Sequence, residues 1–78
     1  MLTPIEKLEL IFQAILPSEL NVRKRTRLNC SVWDSLQQLN LILAIEQEFN
    51  VALSDNDVQE LESFEIAVAI LSEHGVAI

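Results

Sequence analysis

Apolar residues recur at three- and four-residue steps in several stretches of the chain, which is the pattern of amphipathic helices. The first helix is predicted from about Pro4 to Leu16, with the apolar positions Ile5, Leu8, Ile11, Phe12, Ile15 and Leu16. Thr3 is the expected N-cap, Pro4 occupies the first helical position, and Glu6 can complete a capping box. Pro17 should end the helix, because it lacks a backbone donor and its ring clashes with a preceding carbonyl.

The second helix is predicted from Ser35 to Phe49. Its main apolar stripe consists of Leu36, Leu39, Ile42, Leu43 and Phe49. Leu41 and Ile45 widen this stripe, so the helix should be apolar on more than one side. Asn50 is the expected stop, since Asn tolerates the left-handed conformation that often ends a helix.

Two further helices are predicted in the last third of the chain. Ser54 should cap a short helix of about two turns that has acidic residues in its first turn and ends near Leu61. Ser63 opens the last helix, whose apolar positions are Phe64, Ile66, Ala67, Val68, Ile70 and Leu71. Gly75 should close it, with His74 in the last turn. The predicted fold class is therefore all-α, a four-helix bundle with a long first loop and a short third helix.

The segment between the first two helices shows no sustained period and is predicted as a long loop, with room for a short helical turn. Loops of this length are uncommon and are often functional. Its apolar residues are expected to pin it to the core: Leu20, Val22, Leu28, Val32 and Trp33. Cys30 is expected to be a small packed residue and not a redox group.

Composition restricts the possible functions. Seventy-eight residues predict one domain, residues 1–78, with a thin core. One Cys and one His exclude an internal disulfide and make a His/Cys zinc site implausible. The first ten residues do not resemble a signal peptide, and no apolar run is long enough to cross a membrane. We therefore expect a cytoplasmic protein without a membrane partner.

Charge is unevenly distributed along the chain. The net charge is −7, yet four of the five cations lie close together, at Arg23, Lys24, Arg25 and Arg27. An acidic body favours partners with basic docking faces and disfavours nucleic acid, and no aromatic residue separates the four cations. The basic run is expected to pair with the protein's own carboxylates or to contact an acidic enzyme surface. We expect a monomer that binds no nucleic acid.

Ser35 is the candidate for chemistry because it stands at the start of the second helix. A helix start offers unpaired N–H groups and a partial positive charge, which suit a phosphate. A phosphodiester on this hydroxyl would be held at little energetic cost, and an attached arm would point away from the core. The residues alone favour a plainer interpretation, since Ser-Leu-Gln-Gln is also an ordinary capping box. Ser or Asp at an N-cap contributes about 1 kcal/mol without any function.

A longer stretch of the sequence resembles the acyl and peptidyl carrier proteins. The resemblance starts at Trp33-Asp34-Ser35-Leu36, runs to Phe49, and continues through Leu53 and the short acidic helix to Ser63-Phe64. It implies that Ser35 receives a covalent 4′-phosphopantetheine from coenzyme A, transferred by a separate phosphopantetheinyl transferase. The thiol of this arm would carry an acyl or aminoacyl thioester between loading and transferring enzymes. The chain itself would not be an enzyme.

The same resemblance implies two further sets of residues. Partner enzymes would contact the exposed face of the second helix, at Asp34, Leu36, Gln37, Asn40, Leu43, Glu46 and Gln47. Most polar positions of this face are acidic in the fatty-acid carriers and neutral here, which indicates a specialised acyl, polyketide or aminoacyl pathway. An acyl pocket between the last three helices would be lined by Ile45, Phe49, Leu53 and Leu61. Periodicity alone supports only a core role for these four.

Two alternatives from other classes stay open. A non-covalent interaction module would use the leucine-rich helix faces to bind a partner helix. A small hydrolase would pair His74 with Ser35, although His74 belongs to the far end of another helix and no oxyanion loop is recognisable.

Overall fold

The computed structural model describes residues 1–17, 21–24 and 26–78. Its four helices are α1 at Pro4–Ile15, α2 at Ser35–Phe49, α3 at Asp55–Glu60 and α4 at Phe64–Glu73. A short 3₁₀ turn, Val22–Lys24, lies in the loop between α1 and α2. The prediction of four helices with a long first loop and a short third helix is confirmed.

Local capping signals set the helix boundaries as predicted. Thr3 Oγ1 accepts the backbone N–H of Glu6 at 3.3 Å, and Glu6 Oε1 accepts that of Thr3 at 3.2 Å. Ser54 and Asp57 form the same reciprocal pair at the start of α3, with both bonds at 3.1 Å. Asn50 ends α2 with φ 54°, in the left-handed region. Each of these contacts depends on residues at most three positions apart, which is why sequence alone reveals them.

The core joins all four helices and the end of the first loop. Phe12 of α1 lies at its centre, with ring centroids 5.7 Å from Trp33 and 5.1 Å from Phe64, both in edge-to-face contact. Such pairs are stabilising beyond the area that they bury. The buried apolar residues are Leu8, Phe12, Leu16, Cys30, Trp33, Leu41, Ile42, Ile45, Leu61, Phe64, Ala67, Ile70 and Leu71.

The first loop is attached to the core differently from the prediction. Trp33 and Cys30 are buried as expected, and Val22 packs partly against the core. Leu28 is fully exposed and Val32 is 41% exposed, so the prediction that they pin the loop is wrong. Leu20 lies outside the described residues.

Backbone hydrogen bonds hold the middle of this loop instead of those two apolar side chains. The N–H of Arg27 donates to the carbonyl of Glu62 at 2.9 Å, and Thr26 forms an isolated antiparallel bridge with Ser63. These contacts fix the loop beside the junction of α3 and α4. Its side chains are then free to face solvent, because the backbone already supplies the attachment.

The main apolar stripe predicted for α2 lies partly in solvent, which agrees with the prediction that this helix is apolar on more than one side. Leu36, Leu39 and Leu43 are exposed by 65%, 55% and 47% of their surface. The buried face consists instead of Gln38, Leu41, Ile42 and Ile45. Two apolar faces were available on this helix, and the positions of its neighbours decide which one is covered.

Two observations bear on charge and on membranes. Arg23 of the basic run forms an ion pair with Glu9 of α1 at 3.3 Å, as expected for pairing with the protein's own carboxylates. Arg25 lies outside the described residues. Within the described ranges, the structure contains no helix with the length and apolar character needed to cross a bilayer.

Candidate functional site: the amino end of helix α2

Asp34, and not Ser35, is the N-cap of α2. Its backbone is extended, with φ −104° and ψ −172°, and its Oδ1 accepts the N–H of Gln37 at 2.9 Å. Ser35 is the first residue of the helix itself and is exposed. Because Asp34 satisfies the capping bond, the interpretation of Ser35 as the cap is wrong. In the described part of the chain, the Ser35 hydroxyl has no hydrogen-bond partner.

A buried glutamine fixes the position of this helix start. Trp33 Nε1 donates to Gln38 Oε1 at 2.6 Å, while Gln38 Nε2 donates to the carbonyls of Val58 and Leu61 at 2.9 and 3.2 Å. The last carbonyls of a helix lack partners within it. Gln38 therefore satisfies the end of α3 and also anchors the residue that precedes Asp34.

The sequence analysis missed Gln38 as a structural residue. Its carbonyl partners lie 20 and 23 positions further along the chain, so no local pattern marks it. A polar residue within an apolar helix was the available signal, but such residues most often face solvent.

The residues expected to contact partner enzymes lie along one side of α2, starting beside Ser35. Gln37 and Glu46 are half-buried, and the other members of the set are exposed: Asp34, Leu36, Asn40, Leu43 and Gln47. Asn40 Nδ2 donates to Gln37 Oε1 at 3.0 Å, and Glu46 Oε2 accepts the N–H of Leu53 at 2.9 Å. The structure thus gathers these side chains on one accessible surface, while a role in docking stays a prediction.

The residues expected to line an acyl pocket belong to the core and its margin. Ile45 and Leu61 are buried, and Phe49 and Leu53 are half-buried against them. This placement agrees with the core role that periodicity alone supports. A pocket at these residues stays a prediction.

His74 contacts α3. Its Nε2 lies 2.8 Å from Oδ2 of Asp57, a carboxyl that is largely buried. The hydrogen bond from His74, followed by the backbone bond from Ser54, holds the pKa of Asp57 below its usual range. His74 and Asp57 thereby tie the end of α4 to the start of α3. No observed contact supports the hydrolase hypothesis, which needed His74 paired with Ser35.

Groups that could hold a metal ion were sought among the described residues. Across residues 1–17, 21–24 and 26–78, no three His, Cys, Asp or Glu side chains are grouped closely enough to do so.

Comparison with known proteins places this site in context. No protein-family model matches the chain. Acyl carrier protein 2, mitochondrial, from Arabidopsis thaliana is 27% identical to it over 63 residues, which cover 81% of this chain and 49% of that protein. The chain thus spans about half the length of the curated relative that it matches.

The fold is similar to that of the Mycobacterium tuberculosis protein Rv0033, which carries a provisional assignment as an acyl carrier protein. The TM-score is 0.77 at 22% identity, over 90% of this chain and 96% of that chain. This chain is therefore similar to acyl carrier proteins, in sequence to the Arabidopsis protein and in fold to the Mycobacterium protein. The resemblance and the acyl-carrier type of the fold are confirmed. The family consists of carriers and not of enzymes.

Proposed function

We propose that the chain is an acyl carrier protein that bears 4′-phosphopantetheine on Ser35. The observation that carries this proposal is that Asp34 caps the helix, whereas the neighbouring Ser35 is exposed and does not serve as the cap. Asp34 caps α2 through its bond to the N–H of Gln37, so the exposed Ser35 hydroxyl is available for modification. The N–H groups and the partial positive charge of the first turn suit the phosphate that would be attached there.

The attachment is a phosphoryl transfer carried out by a separate phosphopantetheinyl transferase. Ser35 Oγ forms a new bond to the phosphorus that bears the pantetheine, and the bond that joins this phosphorus to the rest of the coenzyme A diphosphate breaks. Adenosine 3′,5′-bisphosphate leaves, and the hydroxyl proton passes to a base of the transferase. The chain contributes an exposed nucleophile whose position is fixed by Trp33 and Gln38.

The bound arm supplies a thiol that carries acyl or aminoacyl groups as thioesters. The residues of the chain orient this arm, because Ser35 belongs to a 15-residue helix packed against α1. Loading and transferring enzymes would contact α2 beside Ser35. For cargo, the edge formed by Ile45, Phe49, Leu53 and Leu61 is the proposed shelter, since two of these side chains remain half-buried at the surface of the core.

The neutral polar residues of α2 support a specialised acyl, polyketide or aminoacyl pathway instead of general fatty-acid synthesis. Gln37, Asn40 and Gln47 carry no charge at positions where the resemblance leads us to expect acids. A monomer in the cytoplasm, without nucleic acid or membrane partners, remains our expectation.

Intact mass after coexpression with a broad-specificity phosphopantetheinyl transferase tests the proposal. We expect the wild type to gain the mass of one phosphopantetheine and Ser35→Ala to gain none. Ser31→Ala is the matched control, since Ser31 is another exposed serine four residues earlier, and it should be modified like the wild type. An unmodified wild type, or a modified Ser35→Ala, would refute the proposal.

A non-covalent interaction module is the second candidate function, and the exposure of Leu36, Leu39 and Leu43 favours it. Such a module needs apolar surface but no modification. The same coexpression separates the two, because only a carrier gains mass on Ser35.

A further inference from the structure

The turn that follows the basic run forms one side of a groove against the start of α4. The groove has a volume of about 570 Å³, which lies within the range of ligand pockets. Leu28 and Ile66 supply its apolar lining, and Arg27 and Glu62 supply its charged lining. The complete lining is Thr26, Arg27, Leu28, Glu62, Ser63 and Ile66. The groove thus shares no residue with the candidate site at the amino end of α2.

Hydrogen bonds fix the turn that carries Leu28. The N–H of Thr26 donates to Asn29 Oδ1 at 2.8 Å, and the N–H of Asn29 donates to Thr26 Oγ1 at 3.3 Å. Asn29 Nδ2 also donates to the carbonyl of Lys24 at 2.9 Å. Backbone contacts with the junction of α3 and α4 hold the other side of the turn. Because the backbone is already ordered while the Leu28 side chain is fully exposed, burying this side chain against a partner costs little ordering entropy.

Two cations at the turn form no ion pair within the described part of the chain. Arg23 lies 3.3 Å from Glu9, whereas Lys24 and Arg27 have no such carboxylate partner there. Both side chains are exposed. Glu62 is the carboxylate that lines the groove, and the two cations together outweigh it. This surface is therefore locally basic on a chain whose net charge is −7.

We propose that the groove binds an acidic peptide segment of a partner protein. An apolar side chain of the segment would lie between Leu28 and Ile66, and its carboxylates would contact Arg27 and Lys24. An apolar lining supplies affinity when it is covered, and exposed cations beside it select a segment of opposite charge. This binding is non-covalent and does not require modification of Ser35, so it goes beyond the proposed function.

A partner protein fits this surface better than nucleic acid, a membrane or a second copy of the chain. Single-stranded nucleic acid is held largely by stacking on aromatic side chains, and no aromatic residue among the described ones lines the groove. One exposed leucine offers little apolar area for a membrane surface. Two copies with a net charge of −7 each repel one another. A short acidic segment meets mainly the local cations, since salt screens charges beyond about 8 Å.

Fluorescence anisotropy of a labelled synthetic peptide tests the proposal on the full chain. The probe is a short peptide of aspartates and glutamates around one central leucine. We expect saturable binding to the wild type and a loss of about tenfold in affinity for Leu28→Ser, because burial of one leucine is worth about that factor or more. Leu10→Ser is the matched control, since Leu10 is 55% exposed on α1, and it should bind like the wild type.

A second pair of variants tests the contribution of charge. Arg27→Gln should weaken binding about threefold, which is the usual value of one exposed ion pair. Lys7→Gln changes the net charge equally but lies on α1, and its affinity should equal that of the wild type. Binding should also weaken as NaCl rises from about 50 to about 500 mM. A probe with lysines in place of its acidic residues should not bind.

Several results would overturn the inference. These are no saturable binding of the acidic probe to the wild type, equal affinities of Leu28→Ser and Leu10→Ser, and equal affinities of Arg27→Gln and Lys7→Gln. Tighter binding of a single-stranded oligonucleotide, or a wild-type dimer in sedimentation that Leu28→Ser dissociates, would assign the groove to another occupant. Ser35→Ala should bind the probe like the wild type, so a failure of this inference would leave the proposed function standing.

Discussion

The two faces of α2 contrast in an unusual way, because three leucines face solvent while a glutamine is buried. Leu36, Leu39 and Leu43 lie outside, and Gln38 lies inside beside Leu41. Gln38 can be buried because its side-chain oxygen and nitrogen have partners in Trp33, Val58 and Leu61. A buried polar group is costly only when its hydrogen bonds are missing. The contrast shows that burial on this helix follows the available partners and not hydropathy alone.

Among the substitutions considered, truncation of Leu41 on the inner face is expected to have the largest effect on the free energy of unfolding. We expect Leu41→Ala to lower the free energy of unfolding by about 2–5 kcal/mol, because it removes a fully buried side chain and leaves a cavity. Leu39→Ala on the outer face should change it by less than about 0.5 kcal/mol. Urea titration, followed by the fluorescence of the single tryptophan, measures both. Equal losses would remove the contrast between the faces.

Substitution of Gln38 tests whether its hydrogen bonds are the reason that this polar side chain can be buried. Gln38→Met keeps a similar shape but leaves the indole N–H of Trp33 and two carbonyls without this partner. We expect the free energy of unfolding to fall by about 1–3 kcal/mol, the usual penalty for a buried unsatisfied group. Gln47→Met, on the exposed surface, serves as the control and should have little effect. A stabilised Gln38→Met protein would contradict this explanation.

Asp34 and Ser35 lie at the amino end of α2, where the two faces begin. Only Asp34 caps the helix, so substitutions at the two positions should affect stability differently. Asp34→Ala should lower the free energy of unfolding by about 1 kcal/mol, while Asp34→Asn should retain most of the stability, since Asn caps about as well. Ser35→Ala should change it by less than about 0.5 kcal/mol. The same urea titration applies. If Ser35→Ala were as destabilising as Asp34→Ala, Ser35 would share the capping role.

Asp57 is the second buried polar residue among the described ones and extends the comparison to a charged group. Its pKa in the folded state lies below the usual range, chiefly through the hydrogen bond with His74. The stabilisation is therefore present above the ordinary carboxyl pKa of about 3.9 and is lost as the pH falls through the lower, folded-state pKa.

We expect His74→Gln to unfold more easily than the wild type at pH 6–7, because the variant lacks the partner that favours the charged Asp57. The difference should narrow only as the pH falls through the lowered, folded-state pKa of Asp57, because Asp57 is then protonated in both proteins. Urea titrations over this pH range measure it, and Glu73→Gln at an exposed neighbouring position serves as the control. A difference of constant size down to pH 2 would show that His74 acts through packing.

Features that depend on neighbouring residues could be predicted from the sequence. The ends of α1 and α3 follow from capping boxes whose members are three residues apart, and the stop of α2 follows from Asn50. Ser35 was correctly placed at the start of a helix, because Asp34 and the apolar run after it are adjacent in the chain. The related family was recognisable from the same stretch. The assignment of the cap to Asp34 and not to Ser35 required the backbone geometry of the helix start.

The sequence by itself determined the number, order and ends of the helices, since propensity, capping and proline act over a few residues. Only the tertiary structure decided which apolar face of α2 is covered, because α2 offers two such faces and the packing of the other helices selects one. It also decided the partners of Gln38 and the pairing of His74 with Asp57. The bonds from Gln38 to Val58 and Leu61, and the bond between His74 and Asp57, join residues 17 to 23 positions apart. They form only after the helices have packed.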